Sequence, residues 1–174
     1  VISPDRWIAK KDLAGSAMLT GGCHAVDMAR NFMGDVARVT AHSHNDPSLG
    51  FEYDTATVCT FEYESGAIGK TSAILEIVSP YRFNVNVRGS EGTALGNQGY
   101  SRAMLPEQED YFEIPCVTPD SGDVEHHPFQ QEIDHLVDCI INDTDCVPDI
   151  ADGIRTSRVC LAADRSAANG GQPE

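Results

Sequence analysis

The sequence predicts an α+β fold, an open, mostly antiparallel sheet with helices packed on one face. Three observations predict it. Segments rich in β-branched and aromatic residues cluster in the middle of the chain and are separated by short turn signals. Helical patterns stand at the two ends of that cluster. Strands and helices do not alternate, as a doubly wound parallel sheet would require.

Taken in order, residues 1–14 read as irregular, with one short helical turn around Trp7. Gly15 loosens the chain, and Gly21 and Gly22 break it again. From about Cys23 to Met33 the apolar positions Val26, Met28, Ala29, Phe32 and Met33 suit a helix closed by Gly34. Val36 to Ser43 is strand-like, and Asn45 to Gly50 is a polar loop. Thr55 to Tyr63 and Ala67 to Val78 flank the turn Glu64-Ser65-Gly66 and form a hairpin. Phe83, Val85 and Val87 alternate with polar residues, the period of a half-buried strand. Gly89-Ser90-Glu91-Gly92 turns the chain into a short strand at Thr93 to Leu95, and another lies near Tyr111 to Ile114. After Pro128, the residues Phe129, Ile133, Leu136, Val137, Ile140 and Ile141 share one helix face. Asp149 caps a last helix from Ile150 to about Ala168, ended by Asn169-Gly170-Gly171.

The chain has 174 residues, enough for one domain, 1–174, or for a large piece of a two-domain protein. It opens on Val1 rather than a methionine, which leaves room for an upstream segment. A net charge of −15 argues against nucleic acid and against an anionic membrane surface as partners. No apolar run reaches the length of a membrane span, and no signal peptide is visible. Seven carboxylates and no Lys or Arg between Ala103 and Glu125 read as a solvated loop or edge. The six cysteines include no CxxC pair and no zinc spacing, and several fall in apolar patterns. They read as reduced thiols of a cytoplasmic protein.

The chemistry-bearing candidates begin with His24, just behind the glycine pair at the expected helix start, with Asp27 three residues later. Imidazole titrates near neutral pH. A helix N-terminus disfavours its charged form, so a histidine there would stay neutral and able to accept a proton. A capped or solvated structural histidine is the alternative. His42 and His44 would share one strand face as a metal pair, but no third ligand accompanies them, so they read as surface residues and no metal is expected. His126 and His127 precede a helix and read as structural. No GxSxG elbow supports a hydrolase triad.

Four segments, in this order and spacing, resemble the C-terminal domain of the Gfo/Idh/MocA oxidoreductases, the glucose-fructose oxidoreductase and inositol dehydrogenase family. They are GGCHAVDMARNFMG at 21–34, VRGSEGTAL at 87–95, PFQQEIDHLVDCII at 128–141 and DIADGIRTSRVCLAADRSAANG at 149–170. The resemblance covers nearly the whole chain. It implies a substrate-binding domain of an NAD- or NADP-dependent enzyme acting on a sugar, polyol or inositol-like CH–OH group. It implies that the cofactor is bound by an N-terminal Rossmann domain that this chain lacks, because no GxGxxG opens a βαβ unit here. The family's Glu-Lys-Pro segment is also absent. The isolated chain is therefore expected to be inactive, and the open sheet face to support a dimer or tetramer.

By the same resemblance His24 is the general base that takes the substrate's hydroxyl proton. Many members carry an aspartate four residues earlier, where this chain has Thr20; a threonine can hydrogen-bond a substrate but cannot charge-stabilise an imidazole. Asp27 either supports the site or serves its helix. Tyr81, eight residues before Gly89, stands where inositol-dehydrogenase-like members contact substrate; packing at a strand entry is its other role. Arg82 would hold a substrate carboxylate or phosphate, or remain a solvated charge. Two other functions stay open: a non-redox relative that uses NAD to cleave glycosidic bonds, and a binding or oligomerisation module without catalysis.

Overall fold

The computed structural model describes residues 6–78, 83–114 and 129–174. The chain divides into two compact units, one comprising 1–78 with 133–174 and the other 79–132.

The first unit opens with a 3-10 turn, Trp7–Ala9, and one helical turn, α1 (Lys11–Ala14). A π-helical turn, Met18–Gly22, leads directly into α2 (Cys23–Met33). Three strands follow: β1 (Val36–His44), β2 (Ala56–Tyr63) and β3 (Ile68–Ile74). They pair antiparallel in the order β1-β2-β3. Two helices close the chain, α3 (Phe129–Asn142), which belongs to this unit from Ile133 onward, and α4 (Ile150–Ala168).

The period-2 pattern of the strands sets the layers. In β2, Thr57, Cys59, Phe61 and Tyr63 are buried, whereas Val58, Thr60 and Glu62 are exposed. Val39 and Ala41 of β1 and Ala73 of β3 join the buried face. Against it pack α4, over β1, and α2 with the π-turn, over β3. Met18, Val26 and Phe61 sit at the centre of this core; each such burial is worth roughly 1.5–3 kcal/mol. The opposite sheet face is open, with Ile68 81% and Val58 49% exposed. The outer edge of β1 is paired by the C-terminal tail: Val39 and Glu174 exchange both backbone hydrogen bonds at 3.0 Å. Ser166 adds to that seal, accepting from the Ala41 N–H at 2.9 Å and donating to the Gln172 carbonyl at 2.6 Å.

The second unit is a small antiparallel ladder of β4 (Asn86–Arg88), β5 (Thr93–Leu95), β6 (Gln98–Tyr100) and β7 (Phe112–Glu113), in that order. Gly99 admits the Phe112 ring, since a Cβ there would run into the ring at Phe112 Cζ. Gln108 ties the connecting loop to the ladder, donating to the Gly99 carbonyl at 3.0 Å and accepting from the Ser101 N–H at 3.0 Å.

The α+β class and the helices on one sheet face are as the sequence predicts. Three local expectations are corrected, and one strand is additional. The glycine pair does not break the chain: Gly22 has helical angles, φ −66 and ψ −22, and the helix runs through it. Packing is tight there: a Cβ would lie 2.8 Å from Met18 Sδ and 3.2 Å from Ala73 Cβ, so the buried Met18 side chain would have to shift. β3 ends at Ile74 rather than Val78, where the chain turns at Leu75 and Glu76. The alternation from Phe83 forms a ladder only from Asn86. The unforeseen strand β6 has little intrinsic propensity and is formed by pairing on both sides.

Candidate active site

The helix that carries His24 is started by Ser16. Its Oγ accepts the Leu19 N–H at 3.1 Å, an N-cap interaction, while its hydroxyl donates to Asp164 Oδ2 at 2.6 Å. This bond ties the helix start to α4. Burial raises the Asp164 carboxyl above its ordinary value, and the Ser16 hydrogen bond and the Lys11 charge oppose that rise.

Helical geometry is already present at Ala17. His24 therefore lies inside a continuous helical run rather than at its first turn. The macrodipole acts within the first turn, so a neutral imidazole does not follow from helix position, and that expectation is corrected. The His24 side chain is exposed and makes no hydrogen bond or ion pair with a described residue. Val26 and Arg30 bury the other side of the same helix.

Thr20 and Asp27 are both engaged elsewhere. The Thr20 hydroxyl donates to the Ala14 carbonyl at 2.8 Å and lies beside the buried Tyr53 phenol. Asp27 Oδ1 accepts from the Thr156 hydroxyl at 2.7 Å, joining α2 to α4. Neither bond leads to His24. Tyr81, Arg82, His126, His127, Cys116 and Pro128 lie outside the described residues.

Arg30 is the polar centre that sequence reading missed. Its guanidinium is 6% exposed and meets Asp35 Oδ1 at 2.8 Å, Asp152 Oδ1 at 3.0 Å and the Thr156 hydroxyl at 2.6 Å, with Asp27 Oδ1 at 3.8 Å. Burial alone would weaken the charged form; the hydrogen bonds that the guanidinium donates to Asp35 and Asp152, with their charges, outweigh it and raise the guanidinium further. In return Arg155, then Arg30, hold the Asp152 carboxyl below its ordinary range. A signal was present: Arg30 stands at i+4 from Val26, on the stripe that packs inward.

The five described cysteines are free thiols. Burial pushes Cys59 up to about 11 and Cys160 up to about 12. His42 and His44 are both exposed on β1. No group of His, Cys, Asp or Glu among the described residues is arranged to hold a metal ion. No described helix is long and apolar enough to cross a membrane. Of the acidic stretch, Glu107, Glu109, Asp110 and Glu113 are exposed, as a solvated segment should be.

Residues 2–95, which include His24 and the strands β1 to β5, match the family model of the GFO/IDH/MocA C-terminal domain. The chain belongs to this family. Solved structures agree with the GFO/IDH/MocA fold. A levoglucosan dehydrogenase in complex with NADH superposes with a TM-score of 0.82 at 18% identity, over 97% of this chain and 53% of that one. An oxidoreductase domain protein from Kribbella flavida gives 0.77 at 22% identity, over 97% and 54%. An aldose-aldose oxidoreductase from Caulobacter crescentus, solved with glycerol, gives 0.77 at 20% identity, over 100% and 52%. The chain thus spans about half the length of these relatives. A search of curated proteins finds no match.

Proposed function

We propose that this domain closes the substrate site of an NAD- or NADP-dependent oxidoreductase acting on a sugar or polyol CH–OH group, with His24 as general base. The observation that carries the reading is His24 itself: a solvent-facing imidazole on a family helix whose neighbouring polar groups are all tied into the scaffold. A base must be reachable by the substrate hydroxyl, and the exposure of His24 supports that role.

The described residues do not fit a dinucleotide. The Gly-x-x-Gly stretches among them, starting at Gly66, Gly89 and Gly96, lead into the strands β3, β5 and β6, and none opens a helix whose N-terminus could face phosphate. In this reading the nicotinamide is held by a separate nucleotide-binding domain, and this chain contributes the proton acceptor and the substrate wall. Tyr81 and Arg82 stand as substrate contacts on the resemblance alone. Thr20 and Asp27 act by holding the helix in place.

Two apolar surfaces fit the partners this reading needs. On α3, Ile133, Leu136, Val137, Ile140 and Ile141 are 44% to 73% exposed, and we assign this face to the nucleotide-binding domain. The open sheet face, with Ile68 and Val58 beside the Arg38–Glu62 ion pair, is assigned to assembly with further copies of the chain.

The deciding experiment uses the full protein with its nucleotide-binding domain. His24→Ala should lower kcat/KM for polyol oxidation by about 10²–10⁴-fold while leaving the thermal midpoint unchanged. A variant with normal kcat/KM would remove His24 from the chemistry. Sugar release without net NADH formation would replace oxidation by glycoside cleavage.

A further inference from the structure

At the C-terminal end of α3 two cysteines and a histidine meet in a turn that the proposed reaction does not use. Asp143 adopts a left-handed conformation, φ 52, and the Thr144 N–H bonds the Cys139 carbonyl at 3.0 Å, so the helix closes in a Schellman turn. The chain then folds back over its last turns. The Cys139 thiol donates to the Asp145 carbonyl at 3.6 Å. The Val147 N–H donates to His135 Nε2 at 3.2 Å, and that same nitrogen lies 3.7 Å from Cys139 Sγ. The residues on either side of Cys146 are therefore both anchored at the Cys139 sulfur or within 4 Å of it. Held in this way, the Cys146 thiol lies close enough to that of Cys139 for each to perturb the other electrostatically.

The two thiols differ in access. Cys139 is 5% exposed, whereas Cys146 is half-buried and reachable. Cys59 and Cys160 are sealed in the core.

We propose that Cys139 and Cys146 form a redox pair that closes into an intramolecular disulfide by exchange with a small-molecule disulfide such as oxidised glutathione. Cys146 enters first. Its thiolate attacks one glutathione sulfur and expels the other as a thiolate, which takes up the proton Cys146 lost. Cys139 then gives its proton to solvent and attacks Cys146 Sγ, forming the Cys139–Cys146 bond and releasing the second glutathione. Two protein thiols are oxidised, and one glutathione disulfide is reduced to two thiols. The bond links the last turn of α3 to the segment that leads into α4, fixing a turn now held by the Thr144–Cys139 backbone hydrogen bond, a thiol–carbonyl contact and one histidine hydrogen bond. The Cys139 contact, then partial burial, raise the Cys146 thiol, so exchange gains speed as pH rises.

The test treats the reduced full protein with oxidised glutathione at pH about 8.5, near the ordinary thiol value, then quenches with acid, alkylates and maps the peptides by mass spectrometry. The expected product is a Cys139–Cys146 link, lighter by two hydrogens than the dithiol and reversed by dithiothreitol. Cys139→Ser should stop the reaction at a glutathione adduct on Cys146, and Cys146→Ser should leave Cys139 unmodified. A persistent glutathione adduct on Cys146 in the unmutated protein, a link from Cys146 to any other cysteine, or no reaction at either thiol would overturn the pairing. Modification of Cys139 in the Cys146→Ser protein would overturn the order of entry.

Discussion

Arg30→Met tests whether one buried guanidinium holds α2 against α4. Methionine keeps most of the apolar volume and removes the charge. The structure sets the size of the effect. The guanidinium side chain is 6% exposed and bonds Asp35, Asp152 and Thr156. Removing one partner of a fully buried ion pair costs about 3–5 kcal/mol. Here the cost is smaller, because the carboxylates of Asp27, Asp35 and Asp152 are 50%, 48% and 28% exposed and regain water when the guanidinium leaves. Arg155 also keeps its contact with Asp152 at 2.9 Å. The expected loss is about 2–3 kcal/mol, or a fall in Tm of about 4–12 °C at about 2–4 °C per kcal/mol for a chain of this size. Circular dichroism melts of both proteins measure it. The pH dependence supplies a second readout. Asp152 is held below its ordinary value of 3.8 in the folded state, so its contribution is present above that pH and is lost as pH falls through its lower folded value. The gap between the two proteins should therefore narrow in acid. A midpoint shift under about 2 °C at neutral pH, where roughly 4 °C is the smallest expected, would refute the claim that Arg30 anchors α2.

Three further outcomes follow from the same geometry. Gly22→Ala places a Cβ 2.8 Å from Met18 Sδ and 3.2 Å from Ala73 Cβ in a core where Met18 is fully buried, and overpacking of about 1–3 kcal/mol should outweigh alanine's gain in helix propensity of up to about 1 kcal/mol; urea unfolding that shows a neutral or stabilised protein contradicts the packing. Cys59 and Cys160, with thiols at about 11 and about 12, should resist iodoacetamide at neutral pH in the native protein and react only in denaturant, as peptide mapping will show. Ile68→Lys, at an 81% exposed position of the open sheet face, should leave the melt unchanged and lower the assembly mass of the full protein in light scattering; an unaltered mass would place the interface elsewhere.

The sequence was legible wherever one residue's pattern repeats along an element. β2 was placed within one residue because its stretch is rich in β-branched and aromatic residues and stops at the turn Glu64-Ser65-Gly66. α4 was placed by its cap, and Asp149 does accept the Asp152 N–H at 2.7 Å. The apolar stripe of α3 located the helix correctly, yet its residues are largely exposed, because periodicity reports a helix face and not what covers it. The π-turn was illegible for a different reason. Glycine is read as a chain breaker from its freedom in isolation, whereas Gly22 has helical angles and lies where Met18 and Ala73 pack closely over it. β6 and the Arg30 centre are tertiary in origin. Gln98-Gly99-Tyr100 becomes a strand through its neighbours, and two of the partners of Arg30, Asp152 and Thr156, come from more than a hundred positions away.

The same distinction bears on His24. From Ser16 to Asp27 each polar oxygen-bearing side chain has a committed partner: Ser16 with Asp164, Thr20 with the Ala14 carbonyl, Asp27 with Thr156. Two of these partners lie on α4, so the helix carrying His24 is fixed in position by residues more than a hundred positions downstream. Holding a helix rigid while leaving one imidazole uncommitted is what a proton acceptor requires, since a base already bonded within its own domain would have to exchange that bond for the substrate. It also means that no carboxylate described here orients the ring. On the proposed reading, orientation must come from the bound substrate and the nucleotide-binding domain that faces it. On that same reading this chain is expected to be folded, correctly shaped and without turnover when alone.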